Sequence, residues 1–354
     1  MTDARFLADV TAEAERADDA LALFTRASAR LRRRLRFDSA VWAATDPDSG
    51  LITAPMLVEG LGPSERCGEY WKSELLEENV APFRELARAV VPAIGLRAAT
   101  GDLPARSARY RRLLEGQGVS DELRAVLRIG DRPWAVLSLF RNGEAAPFGP
   151  DETALLAELS RPLALRLRRF TRPPEAGGAE SPPPGLVLFD GSGEATSIND
   201  EARRHLALLP EGPSLPSPLG LRLPIWIAAT AMQARAVAEG RDRGSARMRI
   251  RTVEGRWLTC HASTLTGPGG SPGPVALVIE PAPAADLAAL IAEAYGLTPR
   301  ELEIAELVAR GRNTTDIAAA LHISPHTVRD HLKAVFAKAD VSTRGELVAR
   351  ILRP

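Results

Sequence analysis

Apolar positions show their clearest spacing at the C-terminal end of the chain, in residues 297–354, where they recur every three or four residues. This is the period of an amphipathic helix. Each apolar run follows a polar residue whose side chain can accept from the free N–H groups of a first helical turn. These residues are Thr298, Asn313, Ser324 and Thr343. The pattern predicts four short helices, and the link of three or four residues between the second and third is typical of a helix-turn-helix.

The third of these helices separates its apolar and polar residues onto opposite faces. The apolar stripe, which would face the core, consists of Val328, Leu332, Val335 and Ala339. At about 100° per residue, the opposite face presents His326, Arg329, Asp330, Lys333 and Ala337. Arg and Lys can reach guanine or phosphate in a major groove, and Asp can accept from cytosine N4. This face predicts a helix that reads DNA.

Candidate DNA contacts follow from this arrangement. Arg329 and Lys333 would make most of the contacts in the groove, while His326 and Asp330 would adjust the choice of base. Hydroxyl groups near the starts of the second and third helices would position the DNA backbone. The full set is Thr314, Thr315, Ser324, His326, Thr327, Arg329, Asp330, Lys333 and Lys338. A helical bundle with a solvated charged face is the alternative interpretation of the same pattern.

Residues from Gly296 to Arg344 resemble the LuxR-type, or GerE-like, DNA-binding domain. The resemblance is carried by Gly296-Leu297-Thr298-Pro299-Arg300-Glu301, Gly311, Ile317-Ala318, Leu321, Ser324, Thr327-Val328-Arg329, His331-Leu332, Lys338 and Arg344. It implies an all-α domain whose third helix reads double-stranded DNA and whose fourth contributes to dimer contacts. RNA polymerase is a candidate further partner of such a regulator. Thr315 stands where the family often has Lys or Arg, and Asp330 lies on the reading face, so the bases read do not transfer from relatives.

Charge is balanced over the whole chain, with 45 basic and 45 acidic side chains in 354 residues. Residues 294–354 carry 9 basic and 7 acidic side chains, a small positive surplus. Because phosphate contacts dominate non-specific affinity, one copy should bind DNA weakly and lose affinity quickly with salt. Dimerisation would strengthen binding by engaging two half-sites, so we expect a homodimer.

The N-terminal part of the chain mixes helical and strand patterns. Its predicted elements, in order, are helices at 3–36, strands at 37–45 and 51–53, helices across much of 64–114, a hairpin at 123–140 and a helix at 147–169. This order predicts an α+β domain with an antiparallel sheet in residues 1–170.

That order resembles the GAF-like sensor domains joined to LuxR-type regulators in high-GC actinobacteria. The segments that carry the resemblance are Asp38-Ser39-Ala40-Val41-Trp42, residues 134–141, and Pro147-Phe148 followed by Asp151-Glu152. Such domains hold a small molecule between sheet and helices, or serve for dimerisation and relay. The candidate pocket residues are Trp42, Tyr70, Trp71 and Trp134. Aromatic residues also form ordinary cores, and both interpretations stay open.

A Pro- and Gly-rich segment, residues 171–185, is the predicted linker. Beyond it, residues 186–283 begin with a strand hairpin that ends in Asn199 before a helix, and further strands follow. This arrangement resembles a PAS-like α+β domain. A connecting helix is predicted at 284–296, ahead of the helix-turn-helix domain at 297–354.

Several classes of site are missing from the sequence. It contains no GxxxxGK[ST] phosphate loop, no GxSxG elbow, no HExxH and no CxxC pair. We therefore predict no enzyme activity, no cofactor and no metal site. Cys67 and Cys260 are predicted to be ordinary reduced cysteines. The N-terminus lacks a signal-like apolar region and the richest apolar run is broken by charges, so we expect a cytoplasmic protein without membrane contact.

These features predict a multidomain, dimeric transcriptional regulator with GAF-like, PAS-like and LuxR-type helix-turn-helix domains. An unknown small molecule or a protein is the expected input to the first two domains. Two rival hypotheses belong to other classes. One is a ligand- or partner-binding scaffold whose helix-turn-helix contacts protein, and the other is an enzyme of unrecognised type hosted by the N-terminal part.

Overall fold

The computed structural model of the chain describes residues 2–61, 65–171 and 182–352. The chain divides into two compact units. The larger unit comprises Met1–Leu167 and Pro182–Glu280, and the smaller comprises Arg168–Ser181 and Pro281–Pro354. Most of the predicted linker, residues 172–181, lies outside the described residues.

The first part of the larger unit contains an antiparallel sheet, here called the first sheet. The elements in chain order are α1 Thr2–Glu15, α2 Ala20–Leu35, β1 Ser39–Thr45, β2 Ile52–Glu59, α3 Glu65–Leu76, α4 Phe83–Leu86, β3 Ala93–Gly95, α5 Leu96–Thr100, β4 Val119–Ile129, β5 Arg132–Asn142 and α6 Pro150–Arg169. The strand order is β2-β1-β5-β4-β3. The predicted β4–β5 hairpin is confirmed, and it turns at Gly130, whose φ of 65° favours glycine.

β1 is buried on both faces, so neighbouring residues along it belong to different cores. Trp42 faces α2, where its ring stacks on Phe24 with the two centroids 5.6 Å apart. Val41 lies on the opposite face, in the same cavity wall as Tyr70 of α3. The first sheet is therefore covered by helices on both sides.

Buried charged side chains lie between α3 and this second face of the first sheet. Glu122 of β4 forms an ion pair with Arg109, and Arg124 of β4 forms one with Glu74. Ser138 of β5 donates to Glu122 at 2.7 Å. The four charged side chains are between 0 and 5% exposed. A buried charge is tolerated only where an opposite charge compensates it. The Arg124–Glu74 pair therefore fixes the position of α3 on the sheet, and the Glu122–Arg109 pair fixes the segment that follows α5.

The second part of the larger unit contains another antiparallel sheet, here called the second sheet. Its elements are β6 Gly185–Phe189, β7 Ala195–Ile198, α7 Asp200–Ala207, β8 Ser214–Pro216, β9 Arg222–Pro224, α8 Ile225–Ala238, β10 Arg247–Arg251, β11 Trp257–Thr266 and β12 Pro272–Pro281. The strand order is β10-β11-β12-β6-β7. The predicted opening hairpin and helix are confirmed, and Asn199 caps α7 by accepting from Ala202 N at 2.9 Å.

The sequence pattern predicts neither α8 nor β3. α8 is buried on most of its sides, so it lacks the polar face that marks an amphipathic helix. β3 has three residues and interrupts a stretch predicted to be mostly helical. Its Ala93 pairs with Ala125 of β4, and a pairing over that separation leaves no signal in the local sequence.

Arg249 of β10 joins the second sheet to the first. Its Nε and Nη2 atoms donate to the two carboxylate oxygens of Asp46 at 2.8 and 2.7 Å, and it also pairs with Asp48. Thr53 of β2 donates to the Arg249 carbonyl at 2.9 Å. Arg249 is 5% and Asp46 4% exposed. These contacts hold the two sheets within one compact unit.

The smaller unit is helical in its described part. Its elements are α9 Ala284–Ala294, α10 Pro299–Ala309, α11 Thr314–Leu321, α12 Pro325–Ala339 and α13 Arg344–Leu347, which continues as a π-helical turn, Val348–Leu352. A helix lies where the connecting helix is predicted, and the four helices predicted after it are confirmed. Within the described ranges, no helix combines the length and the apolar character needed to cross a bilayer.

Candidate nucleic-acid interface

α10 begins at a capping box, as its sequence predicts. The Thr298 hydroxyl accepts from Glu301 N at 3.2 Å, and the Glu301 carboxylate accepts from Thr298 N at 2.7 Å. Both carboxylate oxygens of Glu301 also accept from Nζ of Lys338, at 2.8 and 2.6 Å. Because Lys338 belongs to α12, one carboxylate both caps α10 and ties it to α12.

Glu301→Gln should destabilise the smaller unit by about 1–3 kcal/mol, because charge-assisted hydrogen bonds to Lys338 and Thr298 are weakened. Burial alone would raise the pKa of Glu301, but these bonds outweigh it and hold the pKa below the ordinary value. The contribution is thus present above the unfolded-state pKa and lost as pH falls through the folded one. Amide hydrogen exchange in α10 and α12 at neutral and acidic pH measures both effects.

Glu303→Gln is the matched control, because that carboxylate is half exposed and makes only a surface pair with Arg300. Equal protection of α10 and α12 in the two variants at neutral pH would contradict the assigned role of Glu301.

The turn between α11 and α12 is fixed by backbone geometry and caps. His322 ends α11 with a φ of 53°, in the left-handed region, and its N–H donates to Ala318 and Ala319. Ser324 then caps α12 by accepting from Thr327 N at 3.0 Å. These contacts end α11 and begin α12 across the short turn at residues 322–324, which is the arrangement of a helix-turn-helix.

α12 has the two faces that its sequence predicts. Its buried side chains are Val328, Leu332, Val335 and Ala339. Its exposed side chains include His326, Arg329, Asp330, Lys333 and Ala337. The helix therefore presents a polar, partly cationic surface to solvent while its apolar stripe packs in the core.

Arg329 and Lys333 are available for contacts outside the chain. Arg329 Nε donates to the carbonyl of Pro325 at 3.2 Å, which orients the guanidinium along the helix surface. In the described ranges, neither Arg329 nor Lys333 has an ion-pair partner. Their charges are thus not neutralised within the unit.

His326 and Asp330 contact each other on the exposed face of α12. His326 Nδ1 lies 3.0 Å from Asp330 Oδ2, and the two side chains are 81% and 66% exposed. If Nδ1 carries the proton it donates to this carboxylate, and Nε2 then faces solvent as an acceptor. Asp330 therefore has a partner within the helix that partly offsets its repulsion of phosphate.

Among the candidate DNA contacts that carry a hydroxyl group, some already have a hydrogen-bond partner within the chain. Thr314 Oγ1 accepts from Arg344 Nη2 at 2.8 Å, and Ser324 and Thr327 lie within hydrogen-bond distance of each other. The Thr315 side chain is exposed at the N-terminal end of α11. Thr315 and the caps of α12 thus sit where backbone N–H groups and hydroxyls can meet phosphate.

Lys338 is placed differently from the other candidates. Its ammonium group bonds both oxygens of Glu301, so its charge is matched inside the unit. Sequence spacing could not reveal this pair, because the two residues belong to different helices. Arg344 and Arg300 also stabilise the motif, by donating to the carbonyls of Arg312 and Leu321.

The aromatic pocket candidates of the first sheet do not come together in one site. Tyr70 and Trp71 line a cavity of about 150 Å³, beside Cys67. Trp42 faces α2 on the other side of the sheet, because side chains alternate along a strand. Trp134 is 3% exposed and lines neither this cavity nor the larger one described below. Of the four aromatic candidates, Tyr70 and Trp71 therefore share one of these two cavities, and Trp42 and Trp134 line neither.

The two cysteines, and the acidic side chains in the described part of the chain, give no sign of a metal site or a reactive thiol. Burial raises the pKa of Cys67 to about 11 and that of Cys260 to about 12, so both thiols are protonated at neutral pH. Among the described residues, His, Cys, Asp and Glu side chains form no cluster of three that could hold a metal ion.

Known proteins share this helical segment. Residues 296–351 match the model of the family described as bacterial regulatory proteins, luxR family. The spore germination protein GerE of Bacillus subtilis is 40% identical over 57 residues, which are 16% of this chain and 77% of GerE. The chain belongs to the luxR family. Its α10–α13 segment is accordingly a luxR-family helix-turn-helix domain.

Other luxR-family relatives are matched over the same short length. The transcriptional regulatory protein DesR of B. subtilis is 44% identical over 61 residues, and the match covers 17% of this chain and 31% of DesR. The chain thus spans less than a third of the length of DesR. A solved structure of Escherichia coli SdiA aligns with 98% of this chain and 97% of its own at 13% identity, and its TM-score of 0.34 is too low to assign a fold.

Proposed function

We propose that the protein is a transcriptional regulator that binds double-stranded DNA sequence-specifically through α12. The observation that carries the proposal is the exposed face of α12 in a luxR-family domain, where Arg329 and Lys333 have no ion-pair partner among the described residues. Arg can make two parallel hydrogen bonds to guanine, and Lys can reach guanine or phosphate. His326 and Asp330, joined to each other, modify which base is preferred.

Phosphate contacts position this helix in the groove. Thr315, Ser324 and Thr327 lie at the N-terminal ends of α11 and α12, where free N–H groups and hydroxyls attract phosphate. Thr314 supports the same end through its bond from Arg344. Lys338 is left out of the proposed contacts, since Glu301 already holds its ammonium group.

The regulator acts as a homodimer in this proposal, because the surplus of positive charge in one C-terminal domain is small. Residues 1–170 form a GAF-like domain and residues 186–283 a PAS-like domain, linked by residues 171–185. The helix at 284–296 connects them to the DNA-binding domain at 297–354. A cytoplasmic location, a small-molecule or protein input and contact with RNA polymerase complete the hypothesis.

Arg329→Ala should cost about 1–3 kcal/mol of binding free energy on sites selected from random DNA, because base contacts are lost. Lys333→Ala, if Lys333 contacts phosphate, should weaken binding to all sequences and reduce the slope of log K against log salt by about 1. Fluorescence anisotropy with selected and scrambled duplexes at several salt concentrations measures both.

Arg310→Ala is the control variant, since Arg310 lies at the end of α10 and its side chain is 71% exposed. If Arg329→Ala prefers selected over scrambled DNA as strongly as the wild type does, Arg329 does not contact bases. Binding without any salt dependence would favour the scaffold whose helix-turn-helix contacts protein.

A further inference from the structure

A cavity of about 390 Å³ in the larger unit is lined by residues from the part with the first sheet and from the part with the second sheet. Ligand pockets typically measure about 300–1,000 Å³. One wall comes from the β1–β2 turn, α3 and α4, and the other from α8 and the segment after it. This space, here called the junction cleft, is distinct from the smaller cavity beside Tyr70 and Cys67.

One part of the wall of the junction cleft is apolar and aromatic. Trp71 is 2% and Phe83 7% exposed, and their ring centroids lie 6.2 Å apart at an angle of 33°. Ile52 and Val136, both 3% exposed, complete this surface. Buried aromatic and branched side chains that face an open space favour a flat apolar group in a ligand.

Gln233 of α8 supplies a polar group to the same cleft. The residue is 4% exposed and lines the cavity. Its side-chain amide has no hydrogen-bond partner among the residues that the structure describes. Because Gln233 lines the open space of the cleft, a ligand oxygen there would accept from its side-chain NH2 group.

Most of the carboxylates that line the cleft already have hydrogen-bond or ion-pair partners within the chain. Asp242 accepts from two backbone N–H groups and faces Arg84 at 3.6 Å. Asp48 pairs with two guanidinium groups, and Glu74 accepts from three donors. Asp131, at the tip of the β4–β5 turn, is exposed to solvent. Little accepting capacity therefore remains inside the cleft for a cationic ligand.

Unused donors remain at the mouth of the cleft. Arg84 makes a single long ion pair, and the Arg88 guanidinium has no hydrogen-bond or ion-pair partner in the described part of the chain. Both residues are exposed and border the cleft. Two guanidinium groups with spare N–H donors favour an anionic head group, because Arg pairs well with carboxylate.

We propose that the junction cleft binds a small aromatic carboxylate. The aromatic group lies on Trp71 and Phe83, the carboxylate pairs with Arg88 and Arg84, and Gln233 donates to a ligand oxygen. The ligand contacts both parts of the larger unit, so its binding favours one relative arrangement of the two over others. As an input to the regulator, this site rests on the proposed function.

Three matched probes test the proposal on the full-length protein: phenylacetate, phenylacetamide and phenethylamine. Calorimetry and saturation-transfer NMR should detect phenylacetate binding at millimolar concentration, weaker binding of the amide and none of the amine. Arg88→Glu and Gln233→Leu should each weaken phenylacetate binding by about tenfold or more. Arg33→Glu, a charge reversal at an exposed residue outside the cleft, should leave it unchanged.

Equal binding of all three probes, no binding of phenylacetate, or affinity unaffected by Arg88→Glu would overturn the proposal. Arg88 is exposed, so its variant remains informative if Gln233→Leu fails to fold. DNA binding measured on the same samples separates the two hypotheses. If the protein binds DNA but not phenylacetate, only the proposed ligand site is ruled out. If it binds phenylacetate but not DNA, only the proposed role as a DNA-binding regulator is ruled out.

Discussion

Arg249→Met is expected to lower the free energy of unfolding of the larger unit by about 3–5 kcal/mol, because it leaves a buried carboxylate without its partner. Asp46 is 4% exposed and accepts from Arg249 through Nε, Nη2 and the backbone N–H. The backbone bond survives the substitution, and the two side-chain bonds do not. Urea denaturation followed by tryptophan fluorescence measures the loss, since all the tryptophans lie in this unit.

Arg256→Met provides the control, because Arg256 makes only an exposed pair with Glu254 and should change stability by less than about 1 kcal/mol. Adding Asp46→Asn to Arg249→Met should recover part of the lost stability, since it removes the uncompensated charge. A loss below about 1 kcal/mol in the single variant would mean that water replaces the guanidinium and that Arg249 does not join the sheets.

The helix-turn-helix domain could be predicted from sequence because its signals are local. Thr298, Asn313 and Ser324 each cap the helix that directly follows. The buried and exposed faces of α12 follow from helical spacing within fifteen residues. Lys338 is the exception, because its bond to Glu301 joins residues 37 positions apart and depends on how α10 packs on α12.

The larger unit was less predictable because its decisive contacts are distant in sequence. Asp46 and Arg249 are separated by 203 positions, and nothing near either residue indicates the other. The position of the aromatic pocket candidates was hard to predict for a related reason. β1 is buried on both faces, so an aromatic residue such as Trp42 fits either face, and only the packed structure shows that it meets Phe24.

Glu122→Gln is the second substitution expected to have a large effect, lowering the free energy of unfolding by about 3–5 kcal/mol. Glu122 is 0% exposed and is the carboxylate that pairs with Arg109. It also lies 3.7 Å from Arg124 Nε, and it accepts from Ser138 and Tyr70. Without its charge, the buried Arg109 guanidinium is uncompensated, while Arg124 keeps Glu74.

The pH dependence of stability provides an independent check on Glu122. Burial alone would raise its pKa, but Arg109 and Arg124 outweigh burial and hold the pKa below the ordinary value of about 4.3. The stabilisation is therefore present above the unfolded-state pKa and is lost as pH falls through the folded one. At neutral pH, Glu122→Gln should already lack this stabilisation, so its free energy of unfolding should fall less in acid than that of the wild type. Glu158→Gln is the control at an exposed site, and its acid profile should match that of the wild type. Parallel acid profiles for wild type and Glu122→Gln would show that the Arg109 pair does not govern the stability of the first sheet.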